Sequence, residues 1–597
     1  MPMKQLTSRG LNVSALAIAA VAAWRLPNVY GLAENSALFA GSAVTLILLC
    51  GFYLLLKTAF QVTDARLNRA GYLLGGLFSL VTVVCADVRA NNGFSAFQWL
   101  PFLYGALAAA SFAAVYGGAL VLLFQGMNRL AAREAGAESR FSQISGSWPA
   151  VFLFLLLCWT PVWLAFWPGA LTADSVTQFY QYYDGEFSAH HPLLHTLLVG
   201  LCLTTGIDMD PEGWGTLGVA LYSAVQMALL AAMLAWACRW LRRQGAPLWG
   251  RVCVTLLFGL LPFHGLWSFS CQKDILFSGL ALLFLLELVD VWKDGFHALR
   301  SPWRVVRMTA LTVLMLLLRH NGAYALALLL PFALAWAKGA RIRLGALLLA
   351  CMALAFGINA GLKALLEADD IDKVEMLSIP LQQMARTLQK DPDAAPEEER
   401  ELLDSLYPDG MAEYYSPMLA DPVKWASDYD LVDESVGDII RLWARMGVEH
   451  LDTYVEAFLI QNMPYLLPGS PMLYYFDTDC RDLDLFPIEM ESRLPALQAL
   501  CLEYDQSLTF LGLPGVRLLS DTAFQIWLAM AGLALAACRK QKGYMTAFAF
   551  ILAVWVTCLL GPVAIMRYLL VAFYGVPVLL CSMLAEARKP RATAFKK

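Results

Sequence analysis

The sequence predicts an all-α polytopic membrane protein with about fourteen transmembrane helices and one soluble, outward-facing, mainly α domain inserted before the last three helices. Hydrophobic residues make up 59% of the 597 residues and charged residues only 15%, whereas soluble domains have roughly 45–50% and about 25%. Apolar runs of about 20 residues, each able to cross a bilayer as a helix, recur along the chain. Lys and Arg are also distributed unevenly among the connecting segments.

Fourteen apolar runs are predicted to cross the membrane. They are 11–26, 37–57, 71–88, 101–125, 149–168, 216–238, 252–269, 272–292, 305–320, 321–337, 344–363, 521–538, 544–563 and 567–586. The run 193–206 is apolar but short, so we expect it in the outer interface or as a re-entrant helix. A basic stretch precedes the first run, which we expect to be an uncleaved helix, with a cleaved signal peptide as the alternative.

The orientation follows from the Lys and Arg residues of the short segments. With the N-terminus inside, the inner segments hold 27 of these residues and the outer segments, without the long insertion, hold six. Positive residues accumulate on the cytoplasmic side of membrane proteins. The sequence therefore predicts a multi-pass plasma membrane protein with both termini in the cytoplasm.

Four segments are predicted along the chain. They are an N-terminal four-helix membrane extension (1–148), a catalytic membrane core (149–363) with an outer loop (169–215), an extracytoplasmic acidic domain (364–520), and a C-terminal three-helix segment with a basic tail (521–597). The acidic domain holds 31 acidic and 10 basic residues, for which solubility is the plain explanation. The net charge of −5 and the lack of a basic patch outside short loops argue against nucleic acid as a partner.

Cysteine usage agrees with this arrangement. Most of the 13 cysteines lie in apolar runs, and only Cys480 and Cys501 lie in the acidic domain. That compartment permits oxidation, so a disulfide between them is predicted, with two reduced thiols as the alternative. No Cys/His spacing typical of a zinc site is present.

Polar residues cluster on the predicted outer face. Asp174 lies between the fifth and sixth runs. The other candidates, all on the same predicted face, are His190, His191, His264, Lys273, Asp274, Arg319, His320, Asn321 and Arg567. Ionisable groups at the ends of membrane helices are costly unless paired or hydrated, so they are candidates for a functional site.

Each candidate also has a structural explanation. Lys273 and Arg567 could extend toward water as membrane anchors, and Asp174 could cap a helix. Lys273 and Asp274 could form a local ion pair. A histidine, His190 or His191, could simply form a hydrogen bond with a loop. Together, however, the residues fit group transfer from a lipid-linked phosphate to a hydroxyl.

In that hypothesis Asp174 is the general base. The donor phosphate is bound by Lys273, Arg319 and Arg567, helped by His264 or His320. The substrate pocket is assigned to His190, His191, Asp274 and Asn321.

The order of these features resembles a known family. An outer loop with Asp174, a His191-Pro192-Leu193 step before a short interfacial helix, and a large late outer domain are similar to the GT-C membrane glycosyltransferases. The resemblance covers roughly 149–363 and is closest to bacterial members; protein O-mannosyltransferases and the aminoarabinose transferases of lipid A are more distant relatives. Family loops often carry two adjacent acidic residues, whereas this chain has Ala173-Asp174-Ser175.

The resemblance implies an inverting transfer of a sugar from a polyprenyl-phosphate carrier to a hydroxyl on the outer face. The acceptor would be a glycan, a lipid or a protein. Asp174 would match the catalytic acidic residue of the family. A divalent metal ion is an open alternative as a cofactor. The alternatives are a polytopic transporter or lipid-linked glycan flippase, an outer-face ligase or polymerase of lipid-linked glycans, and an assembly protein. A transporter should show repeated halves and polar sites near the membrane midplane.

Overall fold

The computed structural model is almost entirely α-helical, which confirms the predicted fold class at that level. The structure describes residues 8–30, 42–95, 98–132, 140–210, 215–481, 483, 485–508 and 514–585. The predicted basic tail beyond residue 587 and the first residues of the second predicted span (37–41) lie outside the described residues.

The α-helices are numbered in chain order. The N-terminal helices are α1 (Ser8–Val29), α2 (Ser42–Ala59), α3 (Ala65–Asn91), α4 (Trp99–Ala132) and α5 (Arg140–Ile144). Those up to residue 365 are α6 (Trp148–Ala165), α7 (Ala173–Asp184), α8 (Leu193–Met209), α9 (Thr216–Arg243), α10 (Leu248–Leu260), α11 (Pro262–Phe269), α12 (Lys273–Lys293), α13 (Pro302–Leu318), α14 (Asn321–Ala337) and α15 (Arg341–Leu365).

The remaining helices belong to the acidic insertion and the C-terminal region. They are α16 (Ser378–Lys390), α17 (Glu397–Leu406), α18 (Asp421–Trp425), α19 (Tyr429–Glu449), α20 (Leu451–Leu466), α21 (Pro495–Ser507), α22 (Pro514–Leu519), α23 (Thr522–Cys538), α24 (Lys542–Cys558) and α25 (Leu570–Met583). Two short strands, β1 (Ala170–Leu171) and β2 (Ser270–Cys271), pair in parallel.

Within the described residues, eight helical stretches are long and apolar enough to cross a membrane. They are Gly10–Val29, Ala65–Asn91, Trp99–Ala132, Trp148–Ala165, Thr216–Arg243, Lys273–Lys293, Asn321–Leu365 and Met566–Met583. The pair α10 and α11, bent by 52°, would make a ninth, and α8, α23, α24 and residues Ala43–Ala59 of α2 are shorter apolar helices. The chain is therefore a membrane protein with several spans, and the number fourteen stays a prediction.

The chain forms two compact units. The first comprises Met1–Ala132, Met376–Pro471 and Met530–Gln541, and the second comprises Arg133–Glu375, Met472–Ala529 and Lys542–Lys597. These boundaries differ from the four segments expected from the sequence, because the acidic insertion (364–520) contributes to both units.

In the first unit, α3 and α4 pack at close range. A Cβ atom at Gly75 would lie 2.3 Å from the backbone nitrogen of Gly117, so only glycine permits this approach. Small residues allow membrane helices to pack closely where lipid provides no hydrophobic driving force. α3 begins at a defined point because the Asp64 carboxylate accepts a hydrogen bond from the Arg66 N–H (2.9 Å) and thereby satisfies a free donor of the first turn.

In the second unit, α9, α12 and α25 are the most extensively buried of the helices able to span the membrane. α8 meets α9 at another glycine contact, where a Cβ at Gly206 would lie 2.3 Å from the Cα of Gly218. Apolar side chains of α7, α8 and α9, including Phe179, Val199 and Tyr222, form one buried cluster with Leu171 of β1. This cluster supports the strand that leads into Asp174.

The predicted Cys480–Cys501 disulfide is not formed. Cys501 is a buried, reduced thiol on α21, and burial raises its pKa to about 11. The Cys480 sulfur instead accepts a hydrogen bond from the Leu171 N–H (3.4 Å). The prediction is wrong because two cysteines in one compartment need not face each other, and here each packs against a different part of the second unit.

Candidate functional site

A two-residue parallel sheet joins two distant loops of the second unit. Ala170 pairs with Ser270 and Leu171 pairs with Cys271. Each strand is followed by the start of a helix, α7 after β1 and α12 after β2. The pairing therefore places the first turns of these two helices side by side, and it brings Asp174 and Lys273 together although they are far apart in sequence.

The strand β2 is held in place by side chains from its neighbours. Gln226 of α9 donates to the Ser270 carbonyl (2.6 Å), and Ser223 of the same helix donates to the Phe269 carbonyl (3.0 Å). The Ser175 hydroxyl of α7 donates to the Cys271 carbonyl. Because sheet and side chains satisfy these buried carbonyls, the residues that follow start from a fixed backbone.

Asp174 lies at the centre of a cluster of charged side chains. One of its oxygens, Oδ2, accepts a hydrogen bond from Lys273 Nζ (3.0 Å) and lies 3.3 Å from an amino nitrogen of Arg567. Lys273 Nζ also lies 3.0 Å from Nδ1 of His191. The Asp174 side chain is 26% exposed, so a substrate can reach its carboxylate. Its position in the first turn of α7 is favourable for a negative charge.

A second carboxylate, that of Asp274, lies near the same arginine as the carboxylate of Asp174. Asp274 is fully buried, with one oxygen 2.5 Å from an amino nitrogen of Arg319 and the other 3.8 Å from Nε of Arg567. Arg567 therefore contacts both carboxylates. Buried charges persist when they are paired in this way, and the two arginines are held by a carboxylate that solvent does not reach.

Tyr568 completes the surroundings of the arginines. Its carbonyl accepts a hydrogen bond from Arg319 (3.3 Å), and the Arg319 guanidinium lies 4.4 Å from the centre of its ring. The Arg567 guanidinium lies 5.3 Å from the same ring. A flat guanidinium over an aromatic face gains a cation–π attraction, which fixes the plane of Arg319.

The electrostatics of the cluster follow from these distances. Burial raises the pKa of Asp174, but the charges of Lys273 and Arg567 outweigh this effect and hold that pKa well below its usual range. Burial and the charge of Lys273 hold the pKa of His191 well below its usual range. At neutral pH Asp174 is therefore ionised and His191 is neutral, so His191 Nδ1 accepts the hydrogen bond from the Lys273 ammonium.

The structure thus brings together six residues that the sequence analysis selected. These are Asp174, His191, Lys273, Asp274, Arg319 and Arg567. Among these six residues three positive charges face two negative ones, and Asp477 and Arg481 add one charge of each sign beside them. Such a set can hold a phosphate through charge-assisted hydrogen bonds.

The other selected residues lie farther from this cluster or have different neighbours. The His190 ring packs on that of His191, with centroids 4.7 Å apart, and His320 hydrogen-bonds the Ala189 backbone near Lys273. The His264 ring instead packs among Phe258, Phe263 and Tyr574. Asn321 is placed next to the thiol of Cys558.

Several functional candidates were not selected from the sequence. His195 is fully buried, with its ring nitrogens 2.9 Å from Gln178 Oε1 and 2.6 Å from the Tyr222 hydroxyl. Tyr222 donates to Gln226 (3.0 Å), the residue that holds β2. Through Gln226 this network holds β2 in place. In the sequence, only the i, i+4 spacing of Tyr222 and Gln226 could have indicated it.

Gln272 is a further candidate. It precedes Lys273, is 1% exposed, and neither atom of its side-chain amide has a hydrogen-bond partner among the described residues. A buried amide without partners is costly, and such a group is typical of a site that awaits a ligand or water.

Metal binding was also considered. Within the part of the chain that the structure describes, no group of three His, Cys, Asp or Glu side chains could hold a metal ion. The carboxylates of Asp174 and Asp274 instead have lysine and arginine as their nearest partners.

Residues 183–597 match the family described as a family of unknown function, DUF6020. The chain belongs to this family. No curated protein and no solved structure matches the chain. The matched region contains His191, Lys273, Asp274, Arg319 and Arg567, whereas Asp174 lies before its first residue.

Proposed function

We propose that this DUF6020 protein is a membrane glycosyltransferase of the GT-C type, which moves a sugar from a polyprenyl-phosphate carrier to a hydroxyl acceptor. The observation that carries the proposal is the sharing of the Asp174 carboxylate by Lys273 and Arg567, with one carboxylate oxygen left for a substrate. An accessible carboxylate beside surplus cations suits an acceptor hydroxyl beside a phosphate.

In the proposed reaction, the acceptor oxygen attacks the anomeric carbon of the sugar, and the bond from that carbon to the phosphate oxygen breaks. The phosphate leaves with the bonding electrons, and Asp174 takes the hydroxyl proton. A carboxylate with a lowered pKa is a weak base, but the hydroxyl becomes acidic as the new bond forms. Lys273, Arg319 and Arg567 stabilise the charge on the departing phosphate.

The remaining parts of the proposal concern placement in the membrane. Fourteen spans, with both termini in the cytoplasm of a bacterial cell, would place the cluster on the extracytoplasmic side of the plasma membrane. Support comes from the excess of Lys and Arg in the alternate segments. The donor head group would then meet Asp174 at the outer membrane surface.

A second candidate function is transport or flipping of a lipid-linked phosphate. The bend of 52° between α10 and α11 favours it, because interrupted helices are typical of transporter binding sites. In that case the same cations would bind the phosphate, and no covalent bond would change.

One experiment tests the proposal against this alternative. Purified protein is reconstituted in liposomes with polyprenyl-phosphate hexoses that carry a labelled sugar, together with a membrane lipid and glycan extract as the source of acceptor. The transferase should release polyprenyl phosphate and label an acceptor, while Asp174→Asn should not. Movement of intact donor between leaflets, with no release by wild-type protein, would support the flippase and overturn the transferase.

A further inference from the structure

A basic cavity opens in the second unit at the start of α6. Its volume is about 570 Å³, and it is lined by residues 146–149 and by Arg239, Arg242 and Arg243. α6 starts in this lining at Trp148 and ends at Ala165, nine residues before Asp174. Its 18 residues extend about 27 Å, so the cavity and the Asp174 cluster lie toward opposite ends of one candidate span.

The arginines of the cavity come from the last turns of α9, and α5 and the loop before α6 contact one of them, Arg242. Arg242 donates to the Gln143 carbonyl (3.1 Å). A Cβ at Gly146 would lie 2.4 Å from Cδ of Arg242, so any larger residue would displace that side chain. Arg239 lies 5.7 Å from the ring centre of Trp236. The positive wall is thus built by packing between two elements.

The lining also includes an aromatic ring and the start of a helix. The Trp148 indole N–H donates to the Ala232 carbonyl (3.0 Å), and its ring stacks on Phe152 with centroids 5.1 Å apart. The side chain of Ser147, which precedes the helix, makes no capping hydrogen bond. Because Pro149 has no N–H, only the N–H groups of Trp148 and Ala150 can serve as donors ahead of Val151 in this turn. None of the described lining residues is acidic.

We propose that this cavity binds the phosphate of an anionic phospholipid head group, with phosphatidylglycerol as the representative lipid. Basic pockets between membrane helices on the cytoplasmic side are suited to such head groups. Arginine forks bind phosphate oxygens in pairs, and a tryptophan at the membrane surface lies at head-group level. Arginines that served only as anchors would need neither a shared cavity nor a loop packed against Arg242.

The test is a lipid titration by native mass spectrometry of the full-length, delipidated protein. Phosphatidylglycerol should bind more tightly than phosphatidylcholine. The triple substitution Arg239→Ala, Arg242→Ala and Arg243→Ala should weaken phosphatidylglycerol binding about a hundredfold, since each such charge contributes about fivefold. Arg243→Ala alone, which removes an exposed side chain, should weaken it about fivefold.

A charge-matched control decides between a site and general attraction. Arg300, Lys338 and Arg343 are exposed cations of the same unit outside the cavity, and their triple alanine variant should retain wild-type affinity. An equal loss in both triple variants, or no loss in the cavity variants, would overturn the proposal. Displacement of the bound lipid by millimolar inorganic phosphate would also overturn it, because the ligand would then be a soluble phosphate.

Discussion

The two units of the protein each bury a cluster of charged side chains, and the clusters differ in how completely their polar atoms are paired. In the first unit, Glu456 accepts hydrogen bonds from Arg386 (2.9 Å), Lys390 (2.6 Å) and the Phe94 N–H (2.7 Å). Arg386 also donates to the Asn92 carbonyl (2.6 Å). Both Glu456 and Arg386 have side chains only 2% exposed.

The cluster of the second unit is less completely paired. Nε of Arg567 makes no hydrogen bond with the described residues, although it lies 3.8 Å from a carboxylate oxygen of Asp274. The amide of Gln272 is buried and has no hydrogen-bond partner in the described part of the chain. Asp174 directs one oxygen at two cations and is the most exposed member of its ion pairs.

This difference separates a structural ion pair from a candidate site. A buried pair whose atoms all have partners ties elements together, here α16, α20 and the segment between α3 and α4. A cluster that leaves donors unsatisfied has capacity for a further anion. Substitutions in the first cluster should therefore affect stability, and substitutions in the second should affect turnover.

The largest effect is expected for Asp174→Asn. The amide keeps the shape of the carboxylate and removes its basicity, so release of polyprenyl phosphate should fall by about 10²–10⁴. The melting temperature should change less than in Glu456→Gln, because the Asp174 side chain is 26% exposed, so water screens Lys273 and Arg567 after the carboxylate charge is lost. Asp184→Asn, at the exposed end of the same helix, is the control and should leave the rate unchanged. A variant at position 174 with near wild-type turnover would remove Asp174 from the mechanism.

Glu456→Gln should have the largest effect on stability. It leaves Arg386 buried without its counter-charge, and breaking a buried pair on one side costs about 3–5 kcal/mol. Thermal unfolding in detergent should show the loss, while turnover per folded molecule stays the same. Glu449→Gln, an exposed substitution in the same unit, should be silent in both measurements. If Glu456→Gln abolished turnover without lowering stability, the contrast between the clusters would fail.

Arg319→Lys tests whether geometry or charge alone matters at the phosphate. Lysine keeps the charge but loses the contact that joins Asp274 to the Tyr568 carbonyl, so turnover should fall by about 10²-fold. Arg493→Lys changes an exposed arginine of the same unit and should have no effect. If lysine at position 319 supported normal turnover, Arg319 would be a structural partner of Asp274 and not a ligand for the donor.

The smallest effect is expected at Asp505. Burial raises its pKa from 3.8 to about 6, and its carboxylate accepts a hydrogen bond from the Phe476 N–H (3.2 Å). The folded state therefore favours the protonated form, and stability should fall as the pH rises from about 4 to about 6. In Asp505→Asn that part of the pH dependence should disappear. Melting curves of both proteins across this range give the measurement, and parallel curves would contradict the assignment.

The sequence predicted the charged members of the site better than their arrangement. Lys273, Arg319 and Arg567 stood out because cations are rare on the predicted outer face. The helical, membrane-bound fold class could also be predicted, since apolar runs have a clear length signature. Neither observation showed which side chains would meet, because contacts between distant loops leave no periodic pattern.

The parts that could not be predicted depend on local packing. Strands of two residues are too short to give the alternation typical of strands, so the pairing of β1 and β2 was missed. His264 lies at a turn, and its position does not reveal that the ring packs among aromatic neighbours. The disulfide was inferred from compartment alone, which carries no information about the distance between Cys480 and Cys501.

The pairing of β1 with β2 also determines which changes in chain length the site should tolerate. Residues added or lost at the exposed positions 185–186, ahead of His191, leave both strands paired, so Asp174 keeps its orientation. One residue inserted between Leu171 and Asp174, or between Cys271 and Lys273, would rotate the following helix face by about 100°. The carboxylate or the ammonium would then turn away from its partner. Natural variation in length should therefore accumulate around the site but be absent from the few residues that connect each strand to its helix.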